Sequence, residues 1–457
     1  MVHTENTTMN EQRTNWTYVG MVSFVAAIGG LLFGFDTGVI SGTIGGIVED
    51  FNLNAWQEGF AVSNLIVACI IGSVLTGPLT DRFGRKRMLL LAGILFTLSA
   101  VLSGLPRFYW QLIVARFIGG LGVGIASVLS PIYIAELAPA RVRGILVSIN
   151  QLAIVVGILL TYTSNWLLVG VSDNDWRWMF EIEAVPAFLF TLGLLFIPES
   201  PRWLAKNNQD DKAREVFRKI AGDDYAHSEM ERVRKGLEKE EGGLIELLNP
   251  RLRVLLFVGF CLAIFANATG INVIIYYGTE IFKMVGFVEE ATSFKAQMII
   301  GLTNLVFTFA GMALIDKAGR KVLHVFAYGL MTLSMFSLGL MFKMKDIAPI
   351  WMVVPVMTYV ASFACGVGVV IWVYLSEMFP NKIRGAAMGI ATMLIWVANF
   401  AVTQFFPILR DKMGGNVFFL FTGASLIAFL FALVMMRETK GLHLEQIDAA
   451  FATRVHS

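Results

Sequence analysis

The sequence predicts an all-α membrane protein: twelve transmembrane helices arranged as two pseudo-symmetric six-helix bundles. A depleted charge content, twelve long apolar runs and an internal repeat carry that prediction. Only 15% of the 457 residues are charged and 56% are apolar, with a mean hydropathy of +0.67. A water-soluble globular chain carries about 25% charged residues, so this one lacks the polar surface to face water over its length. The bilayer core, ~30 Å thick, takes about 20 apolar residues of helix to cross. The segments that qualify are 18–42, 58–80, 88–105, 110–133, 146–169, 179–197, 254–282, 295–315, 322–342, 350–376, 386–408 and 416–436. The polar first sixteen residues lack the basic-then-apolar pattern of a cleaved leader, so the first apolar run is expected to stay as a span.

The long polar interval 198–252 mixes both signs of charge, as in Asp210-Asp211-Lys212-Ala213-Arg214-Glu215. It reads as short solvated helices joining an N-terminal bundle (1–197, with a short tail) to a C-terminal bundle (253–437), which a tail (438–457) follows. Basic residues collect in alternate connections: Arg82, Arg85, Lys86 and Arg87; Arg141 and Arg143; Lys317, Arg320 and Lys321; Lys382 and Arg384. The intervening connections are poor in them or balanced by acids such as Glu49, Asp50, Asp173 and Asp175. Basic loops stay inside, so both termini and the central loop are expected to be cytoplasmic, in a multi-pass protein of the cell membrane.

The repeat sets the architecture. Asp81-Arg82-Phe83-Gly84-Arg85-Lys86 returns as Asp316-Lys317-Ala318-Gly319-Arg320-Lys321, Glu136 with Arg143-Gly144 returns as Glu377 with Arg384-Gly385, and Pro198-Glu199-Ser200 is echoed by Arg437-Glu438-Thr439. Parallel six-helix repeats imply a pseudo-twofold along the membrane normal, a solute site between the halves near mid-membrane, and rocking of one half against the other. The paired acids and arginines of the repeat, Asp81, Arg85, Glu136, Arg143, Glu199, Asp316, Arg320, Glu377 and Arg384, sit at helix ends on the basic side. There, carboxylates and guanidiniums can bridge neighbouring helices bidentately and meet helix-terminal dipoles.

Those motifs, together with Gly30-Leu31-Leu32-Phe33-Gly34-Phe35-Asp36-Thr37, Pro198 to Trp203 and Gly270-Ile271-Asn272, carry a resemblance over nearly the whole chain. It resembles the sugar porter family of the major facilitator superfamily, which includes bacterial xylose–proton symporters and human facilitative glucose carriers. The resemblance implies that the loop acids and arginines latch the cytoplasmic face in the outward-facing state and part when it opens. It also implies that Asp36 in the first span and Arg116 in the fourth form the carboxylate–arginine pair of proton-coupled members, where uniporters hold an amide. An ionised side chain in lipid is costly unless paired or hydrated, and protonating Asp36 would release Arg116. Glu183, near the start of the sixth span, is a second protonatable candidate.

Gln151, Asn267, Asn272, Asn304, Trp372, Trp396 and Asn399 fall on or beside the family's sugar-contacting positions. Amides offer donors and acceptors to vicinal hydroxyls, and an indole face covers the apolar side of a pyranose; a single amide in a membrane helix is otherwise helix–helix glue. Tyr276 and Tyr277 look like part of an extracellular gate on a helix that can bend at Gly270. The chain departs from the family in three places. Ala266-Asn267 stand where tandem glutamines are usual, Val369 stands where proline precedes the tenth-span tryptophan, and Arg437 opens the closing motif in place of proline. The first departure predicts an enlarged site that handles glucose or xylose poorly and prefers a modified sugar, a cyclitol or another polyol-like solute.

The function expected is proton-coupled symport of a monosaccharide, pentose or cyclitol by alternating access. A facilitative uniporter, or a carrier of another polar metabolite, is the alternative within transport, and a non-transporting sugar sensor the alternative outside it. The sequence holds no nucleotide loop, metal-ligand cluster or Ser/His/Asp set, so an enzyme, a cofactor and a metal are not expected, and Cys69, Cys261 and Cys365 read as small apolar core residues. The partners implied are a small polar solute, a proton and the bilayer, with no nucleic acid, and the chain is read as a monomer.

Overall fold

The computed structural model describes residues 14–139, 141–237, 246–247, 249, 252–287, 289–344, 347–380 and 383–440. Lys382 and nearly all of the 438–457 tail lie outside the described residues, which form helices and no strands. In chain order the N-terminal group is α1 (Trp16–Phe51), α2 (Ala55–Phe83), α3 (Arg85–Gly104), α4 (Tyr109–Leu137), α5 (Arg143–Leu168), α6 (Asp175–Glu181) and α7 (Ala184–Phe196). The linker carries α8 (Pro201–Lys206), α9 (Asp210–Ala221) and α10 (Asp223–Leu237). The C-terminal group is α11 (Arg253–Ala268), α12 (Ile271–Tyr276), α13 (Gly278–Val285), α14 (Glu290–Ala318), α15 (Arg320–Met341) and α16 (Pro349–Ser362). A π-helical turn, Phe363–Gly368, leads into α17 (Val369–Met378), followed by α18 (Arg384–Met413) and α19 (Val417–Met435).

Eleven helical units among the described residues are long and apolar enough to cross a bilayer. The last of them runs from Arg384 to Met435, 52 residues, and is interrupted by a 3₁₀ turn at Gly414–Asn416. At 1.5 Å per residue it is far too long for one crossing, so it supplies the eleventh and twelfth. The crossings therefore coincide with the twelve apolar runs. Their ends reach further: α1 extends to Phe51, where Asn52 caps it in the left-handed conformation. Asn54 then starts α2 with a reciprocal capping box to Gln57, which satisfies orphan N–H groups at a membrane-edge turn.

Among the described residues, three crossings are broken. The sixth breaks at Ile182–Glu183, between α6 and α7. The seventh breaks at Gly270, whose φ of +96° admits glycine and few other residues, and again at Tyr277. The tenth carries the π turn ahead of Val369, so the irregularity that a proline would impose is supplied by an extra residue in the turn.

The repeat is visible in side-chain geometry. Gly84 and Gly319 open α3 and α15 with φ values of +96° and +94°, and a Cβ at either would collide with a glutamate carboxylate, Glu199 or Glu438 respectively. That carboxylate accepts backbone N–H bonds from Arg85 (2.9 Å) and Lys86 (3.0 Å) in the first half, and from Arg320 (2.8 Å) and Lys321 (3.1 Å) in the second. Each glutamate thus caps the positive end of a helix in its own half. The end of the molecule that holds Arg85 and Arg320 is the basic end, and the opposite one is the far end.

Candidate functional site

Asp36 and Arg116 are 2% and 1% exposed, and Arg116 Nη1 donates to Asp36 Oδ1 at 2.9 Å. α1 and α4 pack together, and Gly119, one turn beyond Arg116, faces Asp36: a Cβ there would lie 3.0 Å from Asp36 Oδ2. Glu183, 3% exposed, sits at the break in the sixth crossing, its Oε1 without a hydrogen-bond partner among the described residues. Arg116 Nε is likewise unpartnered, and its guanidinium lies 5.3 Å from the centre of the Phe180 ring. Two carboxylates and one guanidinium therefore share a dry site, where an unbalanced charge is expensive.

The solute candidates divide. Asn272 donates to Asn267 across the break at Gly270. Asn399 is buried; its Nδ2 lies 3.2 Å from Tyr276 Oη and its Oδ1 accepts from Thr403 Oγ1 at 3.1 Å. Trp396 rests 5.8 Å from Phe33 of the opposite half. Tyr276 lies within electrostatic reach of Asp36 and Arg116. Gln151 is half-buried and Trp372 is 37% exposed, and neither makes a hydrogen bond to the rest of the set. Asn304 accepts a long bond from Thr308, 3.5 Å. Ala266 is packed into the core, so the loss of an amide there does not by itself widen an opening. Tyr277 is fully buried, donating to the Thr403 carbonyl at 3.1 Å and lying 5.0 Å from Phe406, inside the C-terminal bundle rather than across a passage.

At the basic end, Arg85 grips Glu136 through two bonds of 3.1 Å and also approaches Asp81 at 3.5 Å. Arg320 repeats this with Glu377 at 2.8 and 3.2 Å and with Asp316 at 3.0 Å. These bridges join neighbouring helices, as the sequence pattern suggests, and each stays inside its own half. Arg143 and Arg384 differ from the expected pattern: Arg143 is exposed and bridges no carboxylate among the described residues, while Arg384 Nε donates to the Phe379 carbonyl at 3.1 Å. Burial pushes the Glu199 carboxyl above its ordinary range against three backbone N–H donors. Glu438, left out of the sequence-derived set, fills the same role; its place in the Arg437-Glu438-Thr439 echo was the available signal. Arg437 also uses what proline lacks, its N–H reaching Tyr374 Oη at 3.1 Å.

The far end holds residues that the sequence pattern did not single out. Arg410, in the last turn of α18, forms a two-pronged pair with Glu58, in the first turn of α2, at 2.8 and 2.9 Å. Gln404 accepts from Ser63 at 2.6 Å and donates to the Trp56 carbonyl at 3.1 Å. Tyr162 Oη reaches the Ile275 carbonyl at 3.0 Å, and Thr279 donates to the Ser41 carbonyl. All of these contacts join the two halves.

A family description, "Sugar (and other) transporter", matches residues 22–451. The chain belongs to this family. It is 39% identical over 439 residues to the arabinose–proton symporter of Bacillus subtilis, covering 94% of each chain. With the D-xylose–proton symporter of Escherichia coli K12 it shares 38% identity over 483 aligned residues, 96% of this family member and 97% of the relative. Its fold matches a structure of the E. coli xylose transporter XylE, in a partially occluded inward-open conformation, with a TM-score of 0.84 at 36% identity, covering 93% of this chain and all of that one. The fold is therefore the twelve-helix major facilitator architecture.

Proposed function

We propose that the chain is a secondary active transporter that couples entry of a proton to uptake of a monosaccharide, pentose or cyclitol by alternating access. The observation that carries this reading is the buried Asp36–Arg116 pair with Glu183 beside it, in a family member whose relatives are named proton symporters of arabinose and xylose. The two acids and one arginine sum to a single negative charge, and to zero when one proton is bound. Proton binding at Asp36 would free Arg116, and Glu183 supplies a second carboxylate to receive it. A change in charge at the α1–α4 contact gives the two helix arrangements different energies, which a coupling step requires. Asp36 stands where a uniporter carries an amide, which favours symport over facilitated diffusion.

In this reading Asn267, Asn272, Asn399 and Gln151 bond hydroxyls, with Trp396, Trp372 and Asn304 around them, and Tyr276 and Tyr277 gate the seventh crossing at its second break. Segments 1–197 and 253–437 move as the two units, joined by 198–252. The basic end faces the cytoplasm, with both termini, in the plasma membrane, and the chain acts as a monomer. Cross-half bonds at the far end support an inward-facing conformer. Arg85–Glu136 and Arg320–Glu377 are intact in it, so their role is to stiffen each half at the membrane surface.

The test is the purified protein in liposomes, offered labelled xylose, arabinose, glucose and inositol with and without an inward proton gradient. Accumulation that collapses with a protonophore supports the reading. Equilibration with no response to the gradient makes the protein a uniporter, and the absence of any flux or counterflow across the panel removes sugar transport.

A further inference from the structure

Glu58 is buried although it lies at the far end of α2, close to the membrane edge, and both of its oxygens are taken by one guanidinium from the other half. We propose that Arg410–Glu58 is a positioning pair for the transport cycle: it holds the far end shut and must part each time the solute site opens to that side. The proposal rests on the alternating-access reading and adds to it a residue pair that neither the repeat nor the proton site contains.

Three features separate this pair from an ordinary surface bridge. The first is its fork-to-fork geometry, which fixes both distance and angle between two rigid helices. The second is its setting. One to two turns away, Gln404 of α18 bonds Ser63 and the Trp56 carbonyl, and the Trp56 and Phe405 rings meet edge-on at 5.9 Å. A Cβ at Gly59 would strike the Gln404 carbonyl. The α2–α18 contact is therefore a closed seam with the ion pair at its outer rim. The third is asymmetry about the molecular pseudo-twofold: the repeat places Arg85–Glu136 and Arg320–Glu377 in equivalent positions within each half, but among the described residues Arg410–Glu58 has no repeat counterpart, and it joins the halves directly.

The chemistry suits a bond that is made and broken. While the seam is closed the carboxylate is dry, and only the guanidinium compensates it. When the seam opens, water reaches both groups. Arg410 keeps a partner throughout, since its Nε donates to Asp411 Oδ1 at 2.9 Å, so Glu58 is the member that changes from paired to hydrated. An interaction present in only one access state shifts the balance between states, and one present equally in both does not.

Spin labels at Ser172 and Met344, exposed residues of far-end loops in opposite halves, can read that balance as a distance distribution in nanodiscs, with Cys69, Cys261 and Cys365 replaced. Glu58→Gln and Arg410→Gln are expected to raise the long-distance population several-fold, and Glu58→Arg combined with Arg410→Glu to restore the short one. Arg410→Lys, which keeps the charge and loses the fork, is expected to fall between and serves if the exchanged pair does not fold. A distribution unchanged in Glu58→Gln and Arg410→Gln overturns the proposal. So does an exchanged pair, or Arg410→Lys, that behaves like the charge-removing variants. A purely structural pair would lower the melting temperature without moving the distances. The distances need no transported solute: if they respond while no sugar is moved, the latch stands and the transport reading falls, and proton-driven uptake with unresponsive distances has the opposite meaning.

Discussion

Asn272 donates its side-chain amide to the side-chain oxygen of Asn267, bridging the two pieces of the seventh crossing at Gly270. Two amides that bond each other have fewer free groups to offer a sugar, and the neighbouring methyl of Ala266 offers none. A site that pairs hydroxyls draws selectivity from those pairs and loses it where a partner is missing. Asn267→Gln is therefore expected to tighten binding of an ordinary hexose or pentose by about 1 kcal/mol per hydrogen bond gained. Isothermal titration with xylose, glucose and inositol checks it. Weaker binding of xylose and glucose by a folded Asn267→Gln variant contradicts it, as does an unaltered protein that binds them as tightly as any other solute.

Asp36→Asn is expected to abolish uphill accumulation and leave exchange at equilibrium largely intact, because the amide keeps the volume and cannot cycle a proton. Removing one member of a buried pair costs about 3–5 kcal/mol when the other is stranded. Glu183 is close enough to Arg116 to feel its charge, so the loss should be smaller here and the variant should fold. Gradient-driven uptake and counterflow in the same liposomes separate the two functions; normal pH-dependent accumulation would move coupling to another group.

Gln151→Ala is expected to weaken solute binding by roughly 1–3 kcal/mol, the worth of one or two hydrogen bonds to a polar ligand. The side chain makes no hydrogen bond to the other candidates, so stability should change little. Affinity and transport both unchanged would place the site elsewhere.

The two capping glutamates allow a paired comparison. Glu199→Gln and Glu438→Gln each keep an acceptor oxygen but lose the charge that faces a helix N-terminus, an effect of about 0.3–1 kcal/mol at exposed sites and up to ~2 when partly buried. Similar drops in melting temperature are expected for the two, with a roughly additive double variant, since they lie in separate halves. A large loss from one and none from the other would show that the repeat is not energetically equivalent.

Most of the fold was legible because apolar run length is a nearly direct readout of membrane crossing. Asp36 and Arg116 were legible one by one through cost, since neither has a cheap explanation in lipid, whereas their pairing came only with the family resemblance. The far-end seam was not. Glu58 and Arg410 lie at span edges, where charges are common, and they are separated by 352 positions with no periodic or repeat relationship to connect them. The fates of Arg143 and Arg384 were equally hidden, because spacing shows which charges share a membrane edge but not which one a neighbouring helix presents to them. Nor does the string Gly366-Val367-Gly368-Val369 announce a π turn: losing a proline predicts a straighter helix, whereas the backbone found another irregularity.

The π turn at Phe363–Gly368 has a consequence for chain length. Such a turn accommodates one residue beyond the α-helical repeat and leaves the direction of later side chains nearly unchanged. Elsewhere along the tenth crossing, removing one residue would rotate everything beyond it by about 100°, swinging Trp372 away from its present face and Glu377 off Arg320. Within Phe363–Gly368 the same deletion would convert the turn to ordinary α-helix and keep both in register. This short stretch is where the helix should best tolerate being shortened by one residue, and where related chains with a tenth crossing one residue shorter would be expected to carry the gap.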